Sequence, residues 1–171
     1  MPGTLFVVAT PIGNLADLSQ RALDILGRVA LIACEDTRTS RTLLAHFGIA
    51  TRSVPLHEHN ERAASIRLVE TLRSGSDIAL ISDAGTPAVS DPGARLVEQA
   101  HRAGIRVVPI PGPSAALAAF SASGFLTDRF LFAGFLPASA AARRKAIAGL
   151  EYDCAIILYE APHRIRATLA D

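Results

Sequence analysis

Short apolar runs and amphipathic stretches take turns across the first 112 residues, and this alternation limits the fold more than any other feature of the chain. Thr4–Ala9, Val29–Cys34, Ser53–Leu56, Ile78–Ile81 and Arg106–Ile110 are short and rich in aliphatic, often β-branched residues. Strands covered on both faces read this way. Between them apolar residues recur at helical spacing: Leu18, Ala22, Leu23 and Leu26, then Leu43, Leu44 and Phe47. Ala64, Leu68, Val69 and Leu72 follow, then Leu96, Val97 and Ala100. Gly48, Gly75 and Gly104 stand where these helices would stop. Ser19, Asn60, Asp91 and Ser114 stand where helices would be capped, with Pro92 at a first helical position. Strand and helix in strict alternation predict an α/β fold with a mainly parallel sheet and helices on both faces.

The rhythm changes after Gly124. Phe130–Phe135 and Cys154–Tyr159 read as strands flanking an alanine-rich helix, Ala138–Leu150, and another helix begins as the chain reaches Asp171. Two domains are expected: residues 1–112, an N-terminal α/β domain, and residues 113–171, the start of a second α/β domain that this chain leaves incomplete. Half of the residues are apolar and 19% are charged, enough for a substantial core, and the net charge is +1. No long basic run marks a dedicated nucleic-acid binder, although a local basic patch is compatible with this balance. No run is long and apolar enough to span a bilayer, and no secretory leader is recognisable. A cytoplasmic protein is expected. Cys34 and Cys154 lie in apolar runs far apart in sequence, which predicts buried thiols rather than a disulfide. His57, Glu58 and His59 are the only clustered potential metal ligands, and no metal site is expected from them.

Chemistry is concentrated where strands end. Pro11-Ile12-Gly13-Asn14, Glu35-Asp36-Thr37-Arg38, Ser82–Gly93 and Pro111-Gly112-Pro113-Ser114 each place Gly, Pro or charge directly after an apolar run. In a parallel sheet such loops emerge on one edge, at the carboxyl ends where α/β sheets bind ligands. In the longest of them Gly85 and Gly93 permit close backbone approach, while Pro87 and Pro92 stiffen the chain. A plain strand-to-helix turn would use some of the same residues. No dinucleotide-binding glycine fingerprint, no lysine-bearing phosphate loop and no nucleophile elbow is present. The edge therefore suits a polar, partly cationic ligand that is not highly phosphorylated. S-adenosylmethionine is one such ligand, although spacing alone does not single it out.

Several long motifs occur together and in order: Ala9–Leu15, Glu35–Arg38, His59-Asn60-Glu61, Ser82–Gly93, Pro111–Ala116 and Tyr159-Glu160-Ala161-Pro162-His163-Arg164. In this set the chain closely resembles the ribosomal RNA small subunit methyltransferase I family, within the tetrapyrrole methylase superfamily. The resemblance implies a class III methyltransferase fold of two α/β domains, with S-adenosylmethionine as cofactor. It implies 2′-O-methylation of a cytidine ribose in the decoding region of 16S rRNA, in the small ribosomal subunit, by a homodimer with no membrane association. It implies a cofactor site formed by Pro11, Ser82, Asp83, Ala84, Gly85, Thr86, Pro111, Gly112 and Ser114. Members of that family continue well beyond the last residue here. A ribose hydroxyl is a weak nucleophile, so a base is expected beside it. Glu35, Asp36 and His59 are the first candidates, with Glu61 and Glu160 behind them. Glu35 and Asp36 could equally serve a helix N-terminus, and His59-Asn60 a capping turn. Arg38 and Arg164 are the candidates for RNA phosphates, while Arg143-Arg144-Lys145 reads as a solvated helix surface. Two rival readings remain at this stage: a methylase acting on a small tetrapyrrole, and a non-catalytic cofactor- or RNA-binding module.

Overall fold

The structure is a computed structural model that describes all 171 residues. Its internal contacts divide it into two units, Met1–Ser114 and Ala115–Asp171. In the first unit five strands alternate with four helices: β1 (Thr4–Val8), α1 (Gln20–Arg28), β2 (Leu31–Cys34), α2 (Thr37–His46), β3 (Ser53–Pro55), α3 (Glu61–Arg73), β4 (Ile78–Ile81), α4 (Ala94–Arg102) and β5 (Arg106–Ile110). The strands form one all-parallel sheet in the order β3-β2-β4-β1-β5.

Period-two alternation divides the strand residues between two cores. Phe6, Val8, Ile32, Cys34, Ala79 and Ile81 face one side and pack against α1 and α2 through Ala22, Ile25, Leu26 and Leu44. Leu5, Ala33, Ile78 and Leu80 face the other and pack against α3 and α4 through Leu68, Leu72, Leu96 and Ala100. Topology accounts for this division. The chain winds in one direction from β1 to β3, then reverses through β4 to β5. Right-handed crossovers running in opposite directions must lay their helices on opposite faces. The second unit holds α5 (Ala115–Ala122), β6 (Phe130–Phe135), α6 (Ala140–Ala148), β7 (Ala155–Tyr159) and α7 (Ile165–Ala170). There β6 and β7 pair in parallel around a bulge between Phe132 and Gly134, with α6 as their crossover. No helix is long and apolar enough to cross a membrane.

Several local expectations are corrected. Val29 and Ala30 precede β2 rather than joining it. The N–H of Val29 instead ends α1 on the Ile25 carbonyl at 3.1 Å. Ser19 caps α1 as expected, accepting from the Ala22 N–H at 3.1 Å, but Asn60 does not cap α3. Its Oδ1 accepts from the His57 N–H at 2.9 Å and its Nδ2 donates to the Pro55 carbonyl at 3.1 Å, closing the turn before the helix. At α5 the Ala116 N–H donates to the Tyr159 hydroxyl at 3.3 Å, where a Ser114 cap was expected. Arg143 is not solvated: it is 5% exposed and donates to Asp171 Oδ2 at 2.6 Å and to the Ala138 carbonyl at 3.2 Å.

Helix α4 is capped neither by Asp91 nor through Pro92. Its N-cap is Gly93 at φ 125°, and a side chain there would lie 2.6 Å from Leu80 Cδ2, so the position requires glycine. Glycine has no side-chain acceptor, and Glu61 from the start of α3 supplies one. Its Oε1 accepts from the N–H groups of Gly93 at 2.8 Å and Arg95 at 3.1 Å. A carboxylate at a helix N-terminus also answers the helix dipole. Replacing Glu61 with alanine is expected to cost about 1–2 kcal/mol, the usual range for a lost cap, and to lower the thermal midpoint by several degrees. Glu61→Gln, which keeps one acceptor oxygen, is expected to recover part of that loss. Thermal unfolding of the three proteins is the check, and equal midpoints would remove the capping role.

Candidate active site

All five loops that follow strands of the first unit open at the carboxyl edge of its sheet. Strand β4 turns towards the α3/α4 face, while its neighbours β2 and β1 turn towards the α1/α2 face. Neighbouring loops that part in this way open a crevice, the usual ligand position in such sheets. The loop Ser82–Gly93 lies at its centre. Register sets the partners on the β2 side: Cys34 pairs with Ile81, so Glu35 and Asp36 leave the sheet beside Ser82 and Asp83. The Asp36 N–H donates to Asp83 Oδ1 at 3.2 Å.

On the β1 side the loop is pinned by backbone. Thr10 and Gly85 exchange hydrogen bonds, N–H to O, at 2.9 and 3.0 Å. The buried Thr10 hydroxyl donates to the Ser82 carbonyl at 3.1 Å. Thr86 Oγ1 donates to the Pro113 carbonyl at 3.1 Å, drawing in the loop after β5. Gly85 has φ +84°, which any side chain would strain. Ala88 and Ser90, at φ 66° and 61°, are the only non-glycine residues with positive φ. Such conformations persist only where the surroundings hold them. Here Thr10 holds one end of the loop and Glu61 the other.

Of the residues singled out for a cofactor, the structure gathers Ser82, Asp83, Ala84, Gly85, Thr86 and Pro111–Ser114 on this edge, with Pro11 directly after the Thr10 bridge. Asp83 and Ala84 are exposed, and Ser82 and Pro11 are buried. On the β2 side Glu35, Asp36, Thr37, Arg38, Pro55, His57 and Asp83 line a cavity of about 460 Å³. The candidate bases separate here. Asp36 caps α2 through the Arg38 N–H at 2.8 Å and grips the Arg38 guanidinium at 2.7 Å. The hydrogen bonds from Arg38 pull its carboxyl down to about 2, which makes it a weak base. Glu35 is pushed the other way, first by burial and then by the carboxylates of Asp91 and Asp83. Asp91 is raised as well, chiefly by burial.

His59 is exposed and does not line this cavity; His57 does, and its Nδ1 has no hydrogen-bond partner. His57 was legible in the sequence only as part of a possible metal cluster, because nothing local shows that β3 ends beside Glu35. Glu61 is committed to α4, as described above. Glu160 accepts from the Thr168 hydroxyl at 2.6 Å and the Ala161 N–H at 2.8 Å. Arg164 donates to the carbonyls of Leu136 and Pro137 at 2.8 and 3.0 Å, within the second unit. This fork, a candidate phosphate grip in the sequence, thus ties the segment after β6 to the turn after β7.

Comparison with known proteins places these features in a family. The profile of the Tetrapyrrole (Corrin/Porphyrin) Methylases matches residues 4–171. "Ribosomal RNA small subunit methyltransferase I" of Pseudomonas aeruginosa is 58% identical over 170 residues, 99% of this chain and 60% of that protein. The protein of the same name from Escherichia coli O157:H7 is 52% identical, over 99% of this chain and 59% of its own length. The chain therefore spans about three-fifths of the length of these relatives. Among solved structures, diphthine synthase superposes with a TM-score of 0.69 at 20% identity, over 98% of this chain and 72% of that one. Uroporphyrin-III-C-methyltransferase from Thermus thermophilus does so with a TM-score of 0.60 at 25% identity, over 79% and 61%.

The raised Glu35 carboxyl sets a direction for stability. The folded protein holds this proton more tightly than the unfolded chain, so stability falls as pH rises through the folded value. Glu35→Gln is expected to raise the thermal midpoint at pH 7. The gain should vanish below the ordinary carboxyl value of 4.5, where both states are protonated. Melts at pH 4 and pH 7 are the check; a midpoint lowered at pH 7 would mean that Glu35 is held by favourable partners.

Proposed function

We propose, from the premise that the chain belongs to the Tetrapyrrole (Corrin/Porphyrin) Methylases family, that it is the core of an S-adenosylmethionine-dependent methyltransferase acting on 16S rRNA. The acceptor in this reading is the ribose 2′-hydroxyl of a cytidine, and the protein works as a homodimer in the cytoplasm. The name shared by its relatives supports the rRNA substrate. The single observation that carries the reading is the exposed Asp83-Ala84 segment, held beside Glu35 at the carboxyl edge by the Thr10–Gly85 bridge.

The residues fit the cofactor by their chemistry. Backbone carbonyls and the Asp83 carboxylate, with no lysine or arginine among Ser82–Thr86 and Pro111–Ser114, form an acceptor-rich edge suited to a sulfonium cation. Ser82–Thr86, with Pro11, Pro111, Gly112 and Ser114, would hold it, and it supplies an electrophilic methyl group. This chain must then position the acceptor oxygen in line with that methyl. Holding reactants in line is worth on the order of 7–11 kcal/mol. The charged residues divide the remaining work. Glu35, with its raised carboxyl, takes the proton of the 2′-hydroxyl, whereas Asp36 keeps Arg38 in place. The Arg38 side chain is 87% exposed, free to meet a backbone phosphate. Arg164 serves the second unit's own structure.

Transfer of labelled methyl from S-adenosylmethionine to small ribosomal subunits lacking the modification tests this reading. Recovery of labelled 2′-O-methylcytidine after nuclease digestion is the expected result. Glu35→Gln should lower the transfer rate by about 10²–10⁴-fold with cofactor affinity unchanged. Gly85→Val should abolish cofactor binding measured by calorimetry. Label on a porphyrinoid acceptor instead of RNA would replace this reading with the small-molecule one.

A further inference from the structure

The geometry points to the β3 edge of the first unit as the surface that carries the phosphate backbone of the RNA beside the target nucleotide. This inference rests on the proposed rRNA substrate and adds where that RNA lies. Strand β3 is the outermost strand of the sheet on the β2 side. Three concavities surround it and share its residues. A groove of about 340 Å³ is lined by Arg41 and Arg52, among others. A second, of about 400 Å³, is lined by Arg52, Pro55 and Arg67. The cavity that holds Glu35, Arg38 and His57 shares Pro55 with that second groove. Arg52 thus joins the first two grooves, and Pro55 joins the second to the candidate acceptor cavity. Arg52 and Pro55 are three residues apart in extended chain, about 10 Å. A continuous path therefore leads from three exposed arginines, Arg41, Arg52 and Arg67, to Glu35.

Charge along this path is positive and uncommitted. Between Thr37 and Arg73 the chain carries six arginines and three glutamates, although the whole chain is nearly neutral. The arginines of the first unit that form ion pairs are Arg38, Arg95 and Arg102; Arg41, Arg52 and Arg67 are exposed and form none. Of the three glutamates, Glu61 is bound to the N-terminus of α4. Glu70 lines a separate groove with Arg73 and Arg102. Lys145 is the only lysine in the chain, so the basic surface is built of guanidinium groups, whose planar forks grip phosphate in pairs of hydrogen bonds. A flexible single strand suits this curved path better than a stiff duplex, because its backbone can follow the edge strand into the cavity.

Binding of the full-length protein to a fluorescein-labelled RNA hairpin of the 16S decoding region, measured across a salt series, tests the surface. Each phosphate contact on a single strand contributes about 0.7 to the slope of log affinity against log salt. The triple variant Arg41→Ala/Arg52→Ala/Arg67→Ala is expected to flatten the slope by about 2, and Arg52→Ala alone by about 0.7. Both should leave S-adenosylmethionine affinity unchanged, and Arg102→Ala should leave the slope unchanged as well. Wild-type methyl transfer to small subunits with an unaltered slope in the triple variant would overturn the surface and leave the rRNA reading standing. An unaltered slope with loss of the dimer in sedimentation would overturn it in favour of a second copy of this chain. No methyl transfer to RNA by the wild type would bring down the reading and the surface together.

Discussion

A parallel sheet must be covered on both faces, and this constraint organises the whole of the first unit. Strands β1, β2 and β4 give alternate residues to two separate cores, so Phe6, Ile32 and Ile81 serve one and Leu5, Ala33 and Leu80 the other. Beyond Thr4 at the start of β1 and the thiol of Cys34, these strands are wholly aliphatic or aromatic and leave nothing for chemistry. Function is driven to the loops at the carboxyl edge, and the reversal of winding at β4 decides which of them part. The same reversal places the most strained loop, Ser82–Gly93, in the middle of the crevice. The fold therefore determines where a ligand can enter before any side chain determines what it is.

That loop is held from outside itself. Thr10 reaches it from the end of β1 and Glu61 from the start of α3. Between these anchors Ala88 and Ser90 take left-handed conformations that cost of order 1–3 kcal/mol each. Anchoring from two elements keeps the segment rigid without filling it with side chains. The backbone groups and the Asp83 carboxylate of its first half remain open to the crevice. Rigidity of this kind would serve the proposed displacement reaction, where alignment rather than covalent help lowers the barrier.

Fold was legible in the sequence because both periods, two in the strands and about 3.6 in the helices, are local signals. Helix ends were legible only where the cap is local as well. Ser19 caps the helix that follows it. Asn60, Asp91 and Ser114 look equally suitable, yet Asn60 spends its side chain on the preceding turn, and the acceptors at the other two helices lie 32 residues from Gly93 and 43 from Ala116. Among the candidate bases the same difficulty recurs. Glu35 and Asp36 are adjacent in sequence and alike in chemistry, yet shifted in opposite directions. Asp36 is fixed by Arg38, two residues away, whereas Glu35 is raised by burial and then by Asp91 and Asp83, which only the fold brings about. For the same reason His57 was legible only as a member of a possible metal cluster, not as a neighbour of Glu35.

Glu35 and its neighbours show why such a site is built from poorly matched charge. Burial raises Glu35 and Asp91, the Asp83 carboxylate adds to both, and no basic side chain forms an ion pair with any of the three. A sequence selected for stability alone would place an arginine among them, as it does for Asp36. Pairing would pull the Glu35 carboxyl down and weaken it as a proton acceptor. Leaving the cluster unpaired costs stability, and it keeps the crevice receptive to a cation. The unpaired arginines around β3 are the counterpart at the far end of the same path. Free carboxylates at one end and free guanidinium groups at the other are the charge pattern that the proposed pair of ligands, a cationic donor and a polyanionic acceptor, would need.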